Sequence, residues 1–203
     1  MSDDYRKLCI KSMIKKGEQV KFDAYLTDMS QTFDSTWNTE NVFGRNDPIA
    51  TFAGTQRTIS LAFDVPAASR EDAEKNLIKC GKIATYLYPA YNVRKHKQTK
   101  GEVQSKEGAA DKPIETGKYM SRPPLVKIKF ANIINGPGGG LLGFITSYSF
   151  NPVVEAGMFE FNKNFYPRTI SLSIGFTVLH QTELGWVANS SGSVSRLGKI
   201  PFI

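Results

Sequence analysis

The sequence predicts a mainly β chain of the α+β kind, and three observations carry that prediction. Long stretches alternate apolar and polar residues with a period of two, as strands with one buried face do. One stretch, residues 69–88, carries a helical stripe instead. No run approaches the ~18 consecutive apolar residues of a membrane span. At 203 residues, with 40% hydrophobic and 22% charged, the chain can bury a core of its own. The expectation is one domain over residues 1–203.

Residues 1–17 read as an N-terminal arm, with a short helix over Asp3–Lys16 that turns Tyr5, Leu8 and Met13 to one side. "QVKFDAYLT" then alternates Val20, Phe22, Ala24 and Leu26 against Lys21, Asp23, Tyr25 and Thr27. "QTFDSTWN" comes after "DMS", so residues 19–38 read as a hairpin. "GRNDP" is turn chemistry: Gly44 permits positive φ, Asn46 and Asp47 bond their own backbone, and Pro48 blocks a helix. "GTQ" at 54–56 reads as a second turn. "RTISLAFDV" places Arg57, Ile59, Leu61, Phe63 and Val65 on one face.

The helix "SREDAEKNLIKCGKIATYLYP" begins at Ser69, a good N-cap, with Glu71 and Asp72 set against the helix dipole. Ala73, Leu77, Cys80, Ala84 and Leu87 form its stripe, and Pro89 ends it. Residues 92–122 show no period and few apolar positions. They read as a long basic loop, a flexible or interface insertion. Arg94 to Arg122 holds eight Lys/Arg against four Asp/Glu, over half of the chain's net +7. Strands resume at "PPLVKIKFANII", with "NGPGGG" as a turn. "LLGFITSYSFNP" pairs in this reading with "MFEFN" across "VVEAG". "RTISLSIGFTV" gives the longest alternation, and residues 188–203 form a turn-rich tail. The total is about eight strands and one helix.

"RTISL" occurs twice, at Arg57–Leu61 and Arg168–Leu172. The first copy leads into the helix and the second into "HQTELGW", so a duplicated domain is poorly supported. The reading is two similarly placed strands of one sandwich or barrel. The expected core is Ile59, Leu61, Phe63, Leu77, Cys80, Ile170, Leu172, Ile174 and Phe176. Small residues Thr58, Ser60, Ser171 and Ser173 on the second face permit close approach of another layer and are candidate subunit contacts. Arg57 and Arg168, at the strand starts, are expected to make polar contacts near a rim or subunit boundary. Arg94, Lys95 and Lys97 are candidates for an interface in the basic segment.

The search for chemistry yields no catalytic, cofactor or metal residues. His96, His180, Cys9 and Cys80 show no zinc spacing. No G-x-S-x-G elbow is present. "GPGGG" lacks the following Lys-Ser/Thr of a phosphate loop. Cys80 lies on the helix stripe and reads as a small buried hydrophobe. "NSS" at Asn189 matches a glycosylation sequon that a chain made in a cytoplasm would not use, and "MSDDYRKL" lacks the apolar centre of a secretory signal. "VRKHKQTK" is charged but has no interleaved aromatics for base stacking.

Two runs carry a resemblance. One is "VFGRNDPIATFAGTQRTISLAFDVPAASREDAEKNLIKCGKIATYLYPAY". The other is "PPLVKIKFANII…GLLGFITSYSFNPVVEAGMF…FYPRTISLSIGFTVLHQTELGW". Both resemble baseplate proteins of contractile-tailed phages, in the tail-tube initiator or tube–baseplate junction group. The carrying elements are a G-R-x-D-P turn, an R-x-I-S strand, a helix ending in Y-P, and a closing strand into L-G-W. They cover about three quarters of the chain, excluding residues 92–122 and both termini.

The resemblance implies a tail-tube-like β-sandwich or barrel flanked by a helix, with no enzymatic activity. It implies a homo-oligomeric ring of six copies around a channel for genome passage. It places neighbours above and below as tube or hub rings, with wedge or sheath proteins beside it. The implied location is the virion, after assembly in the host bacterial cytoplasm. Two hairpins are implied at the channel wall, and chain order assigns them to residues 19–38 and 140–162. A net charge of +7 conflicts with a DNA conduit, because lysine–phosphate contacts add affinity; the basic segment is therefore expected outside the channel or at a ring interface. The competing class is a nucleic-acid-binding module that uses residues 92–122.

Overall fold

The chain is described by a computed structural model covering residues 7–15, 17–23, 25–96, 114–136, 138–182, 184–188, 190 and 192–197. In chain order its strands begin with β1 (Leu8–Ser12), β2 (Gln19–Phe22), β3 (Tyr25–Glu40) and β4 (Ile49–Pro66). After helix α1 (Arg70–Thr85) come β5 (Ala90–His96), β6 (Ile114–Arg122), β7 (Val126–Lys129) and β8 (Leu141–Pro152). The last are β9 (Met158–Phe161), β10 (Asn164–Pro167), β11 (Thr169–Val178), β12 (Gly185–Ala188) and β13 (Val194–Leu197). The fold is mainly β with one helix, the predicted class.

Seven strands form one antiparallel sheet in the order β2–β1–β7–β8–β11–β4–β3. The sheet curls. β2 and β4 lie five places apart in it, about 24 Å if it were flat. Yet the Phe22 and Phe63 rings meet at 5.8 Å. The curl makes an incomplete barrel, and α1 packs inside with Ala73, Asn76, Cys80 and Ile83 buried. Tyr148, on β8, donates from its hydroxyl to the Cys80 carbonyl at 3.2 Å and ties sheet to helix.

The strands that carry the two RTISL strings are neighbours in this sheet. β4 and β11 pair so that Ile59 faces Phe176, Leu61 faces Ile174, Phe63 faces Leu172 and Val65 faces Ile170. All eight side chains are buried in one core. Each is worth about 1.5–3 kcal/mol relative to exposure, so this ladder is the centre of the fold. Leu77 is only half-buried. The buried stripe of α1 is rotated about one position from the sequence reading because Asn76 goes in, donating to the Pro66 carbonyl at 3.4 Å. A hydrogen-bonded polar group is tolerated inside, and an apolar pattern does not register it.

Several expectations are corrected. The N-terminal helix is a strand: β1 lies between β2 and β7, with Leu8, Cys9, Ile10 and Ser12 buried. A short strand buried on both faces shows no alternation. The expected hairpin at 19–38 is instead the short β2 followed by one sixteen-residue strand, β3, whose partner is β4. "DMS" lies within β3, where a bulge between Leu26 and Asp28 absorbs the extra residue. "GTQ" lies within β4, and Gly54 sits beside a second bulge, a common place for strand glycine.

β9 pairs with β10 rather than with β8. Asn162 (φ 49°) and Lys163 (φ 65°) make the two-residue turn between them, a geometry that suits the twist of a hairpin. The ends of the 92–122 segment are not loop: β5 and β6 form a two-stranded ribbon. Its Tyr91, Tyr119 and Met120 are all exposed. A ribbon with no buried side chain among the described residues leaves no alternation in the sequence. Likewise residues 194–197 of the expected tail form β13, paired with β12.

Candidate assembly surface

β3 and β4 continue past the core. From Gln56 back to Ile49, and from Thr32 to Glu40, nearly every residue is exposed. The result is an arm of about eight residues per strand, roughly 26 Å long, closed by the 41–48 turn in which Gly44 has φ +86°. Trp37 and Phe52 stack edge-on at 5.2 Å along it, and Phe43 is fully exposed at its tip. At the base, Arg57 is only 1% exposed. Its guanidinium donates to the Gln31 side-chain oxygen and lies 5.3 Å from the Phe33 ring. Arg57 therefore closes the end of the core where the arm departs. Its burial holds the guanidinium below its ordinary pKa. Partial burial, and then the Arg57 charge, push His180 down.

Four strands, β8–β11–β4–β3, form a block whose two outer edges are open among the described residues. β3 pairs only with β4. β8 pairs with β7 through Leu141–Gly143 alone, so residues 144–152 have β11 on one side and no described strand on the other. Natural sheets blunt exposed edges with lysine, proline or very short strands. β3 runs from Tyr25 to Glu40 without lysine, arginine or proline, and residues 144–151 contain none either.

The face of this block away from the core is small and polar. Ser60, Ala62 and Asp64 of β4 stand beside Gly175, Ser173 and Ser171 of β11, and beyond them lie Ser147, Ser149 and Asn151 of β8. On β3 the same face carries Asp28, Ser30 and Thr32. Ser171 Oγ donates to Asp64 Oδ1 at 2.6 Å. No lysine, arginine or histidine stands on this face among the described residues, although the chain carries +7 overall. Four lysines lie on the outer face of the other half of the same sheet. There Lys11 stands opposite Lys127, and Lys21 and Lys129 flank Cys9, across β2, β1 and β7. The outer surface of the sheet is thus electrostatically divided.

The candidate contact residues separate accordingly. Thr58, Ser60, Ser171 and Ser173 share the cation-free face. Arg168 is exposed, with its guanidinium carbon 4.7 Å from the Phe159 ring. Arg94 and Lys95 lie on β5, and Lys97 lies outside the described residues. Sequence reasoning misses the open edges, because an edge is defined by which strands fail to pair. The absence of lysine and proline from β3 is the one available signal.

No family model matches the chain, and no curated protein matches it. Among solved structures it is similar to a chain in the tail of an empty GTA particle of C6 symmetry. The two share 11% identity over 97% of this chain and 98% of that one, with a TM-score of 0.32.

Among the described residues no group of three His, Cys, Asp or Glu side chains is placed to hold a metal ion. No described helix is long and apolar enough to cross a membrane. A cleft of about 290 Å³ lies between β4 and the start of α1, lined by Asp23, Asp72, Lys75, Asn76 and Lys79. Asp23 is paired with Lys7 at 3.1 Å and Asp72 with Lys75 at 3.7 Å. Cys80 is buried, and burial pushes its thiol up to about 11, so it stays protonated at neutral pH.

Proposed function

We propose that this chain is a structural subunit of a contractile phage tail, forming a ring in the baseplate that initiates or joins the tail tube. The observation that carries the reading is the pair of open edges on opposite sides of one four-stranded block. Two unlike edges on one subunit suit head-to-tail contact, the arrangement that closes cyclic rings. Pairing β8 of one copy with β3 of the next would close both open edges of the block and merge the blocks into one continuous barrel. Six copies is the number that the family resemblance implies.

In that barrel the cation-free face lines the channel. This replaces the hairpins at 19–38 and 140–162 as the proposed wall, and it answers the charge conflict. DNA passing a wall of Ser, Thr, Ala and Asp meets no lysine to hold its phosphates. Thr58, Ser60, Ser171 and Ser173 then belong to the channel wall, and the lysines of β1, β2 and β7 lie away from it. The ring's neighbours would be tube or hub rings, with wedge or sheath proteins outside, in a virion assembled in a bacterial cytoplasm.

Native mass spectrometry and electron microscopy of the purified chain, alone and with tail-tube protein as template, test the proposal. The expected particle is a six-fold ring of six times the 22.5 kDa chain mass. A chain that stays monomeric under both conditions, yet binds DNA with steep salt dependence, would instead support a nucleic-acid-binding module.

A further inference from the structure

At the end of the block opposite the arm, two arginines are held in an ordered state. Arg70 opens α1, and its guanidinium carbon lies 3.9 Å from the Phe161 ring centroid. Arg168 lies between β10 and β11, stacked on Phe159. The Arg168 carbonyl accepts from Ala67 N–H at 2.7 Å, which joins the two regions. Phe159 and Phe161 are two residues apart on β9, so they share one face with attachment points about 7 Å apart. Glu160, between them, alternates to the other face.

Neither guanidinium makes an ion pair or a side-chain hydrogen bond among the described residues. Asp72, in the first turn of α1, is held by Ser69 at 3.0 Å and by Lys75. Stacking covers one face of a guanidinium and leaves its rim of N–H donors open. Those donors match a carboxylate in a two-pronged fork. The aromatic ring also removes side-chain freedom in advance, which lowers the ordering cost of binding. Tyr166, paired with Phe159 across the β9–β10 hairpin, adds a half-buried ring on the same face.

We propose that Arg70 and Arg168 form a docking platform for an extended acidic segment of another polypeptide, with carboxylates at alternate positions and apolar residues beside them. Charge complementarity favours this occupant, and the two rings that carry the guanidiniums are attached at the repeat at which an extended chain presents alternate side chains. A nucleic-acid strand fits less well, since a guanidinium already covers one face of each ring that a base would use. The platform does not depend on ring formation, and its test uses the full chain at concentrations where its mass is monomeric.

The probe is a fluorescein-labelled ten-residue peptide with Asp at alternate positions and Val or Phe between, compared with its Asn counterpart by anisotropy. The Asp peptide should bind at least about tenfold more tightly than the Asn peptide. Arg70→Gln with Arg168→Gln should remove that difference while leaving the unfolding temperature within a few degrees. Lysine at both positions should restore only part of it, because an ammonium lacks the fork. If the double variant unfolds, Arg70→Gln alone should still weaken Asp-peptide binding severalfold. Equal binding of both peptides, unchanged binding by the folded variants, or displacement of the Asp peptide by an equimolar single-stranded oligonucleotide overturns the proposal.

Discussion

Ser171 donates a hydrogen bond to Asp64 across the β11–β4 pair, at 2.6 Å, and that bond holds a carboxylate in the middle of a sheet face without cations. The first prediction tests that face. Asp64→Lys should leave the chain folded, since the position is half-exposed. It should also convert a non-binding face into one that retains duplex DNA, with affinity that falls steeply as salt rises. Ser171→Ala should cost about 1 kcal/mol in denaturant unfolding and create no DNA binding. DNA retention by Ser171→Ala, or none by Asp64→Lys, would contradict the assignment of the face.

A proline scan along Met29–Thr32 should divide into two alternating classes. Where the N–H bonds to β4, proline should unfold the chain, because a ladder bond is lost. Where the N–H points outward, the monomer should stay folded by circular dichroism but fail to form rings. Ring formation by every folded variant would remove β3 from the contact.

Close packing of β8 on β11 leaves no room at Gly143. A Cβ there would collide with the Thr177 carbonyl oxygen and the Phe176 ring. Gly143→Ala should therefore destabilise by about 1–3 kcal/mol. At Gly175 the obstacles are the hydroxyls of Ser147 and Thr146, which can turn aside. Gly175→Ala should cost clearly less in the same unfolding assay, and the reverse order would refute the packing argument.

Stability should fall in alkaline solution. Burial raises the Cys80 thiol from 9.0 to about 11 and the Tyr86 hydroxyl from 10.0 to about 12, and it raises Tyr148 as well. In the unfolded chain these groups lose their protons first. Above about pH 9 the unfolded state is therefore favoured progressively, until the folded groups titrate too. Cys80→Ala should flatten the part of the decline between about pH 9 and about pH 11. An unchanged profile would place the lability elsewhere.

Leu172→Ala removes a core side chain that faces Phe63 in the ladder. It should cost about 2–5 kcal/mol, measured by the denaturation midpoint. A loss under about 1 kcal/mol would mean that the β4–β11 ladder is not the centre of stability.

Legibility in the sequence tracks burial. β4, β11 and α1 each have one buried face, so their periods are written in the residue types, and the repeated RTISL can be placed in a shared core. β1 reads as helix because it is buried on both sides and shows no alternation. β5, β6 and β13 read as loop because none of their described side chains is buried, which leaves no pattern. The bulge at Leu26/Asp28 shifts the alternation of β3 by one residue, which makes one strand look like two.

The sequence by itself determined the mainly β class, the long helix with its Ser69 cap and the apolar ladder. Those properties depend on neighbours a few residues apart. Only the tertiary structure decided that β3 and residues 144–152 of β8 are open edges of one block. It alone decided that the outer face of the sheet carries lysines on one half and no described cation on the other, and that Arg70 and Arg168 meet the two phenylalanines of β9. Each of these depends on which distant strands pair and which do not, and pairing is settled by the curl of the whole sheet around its core.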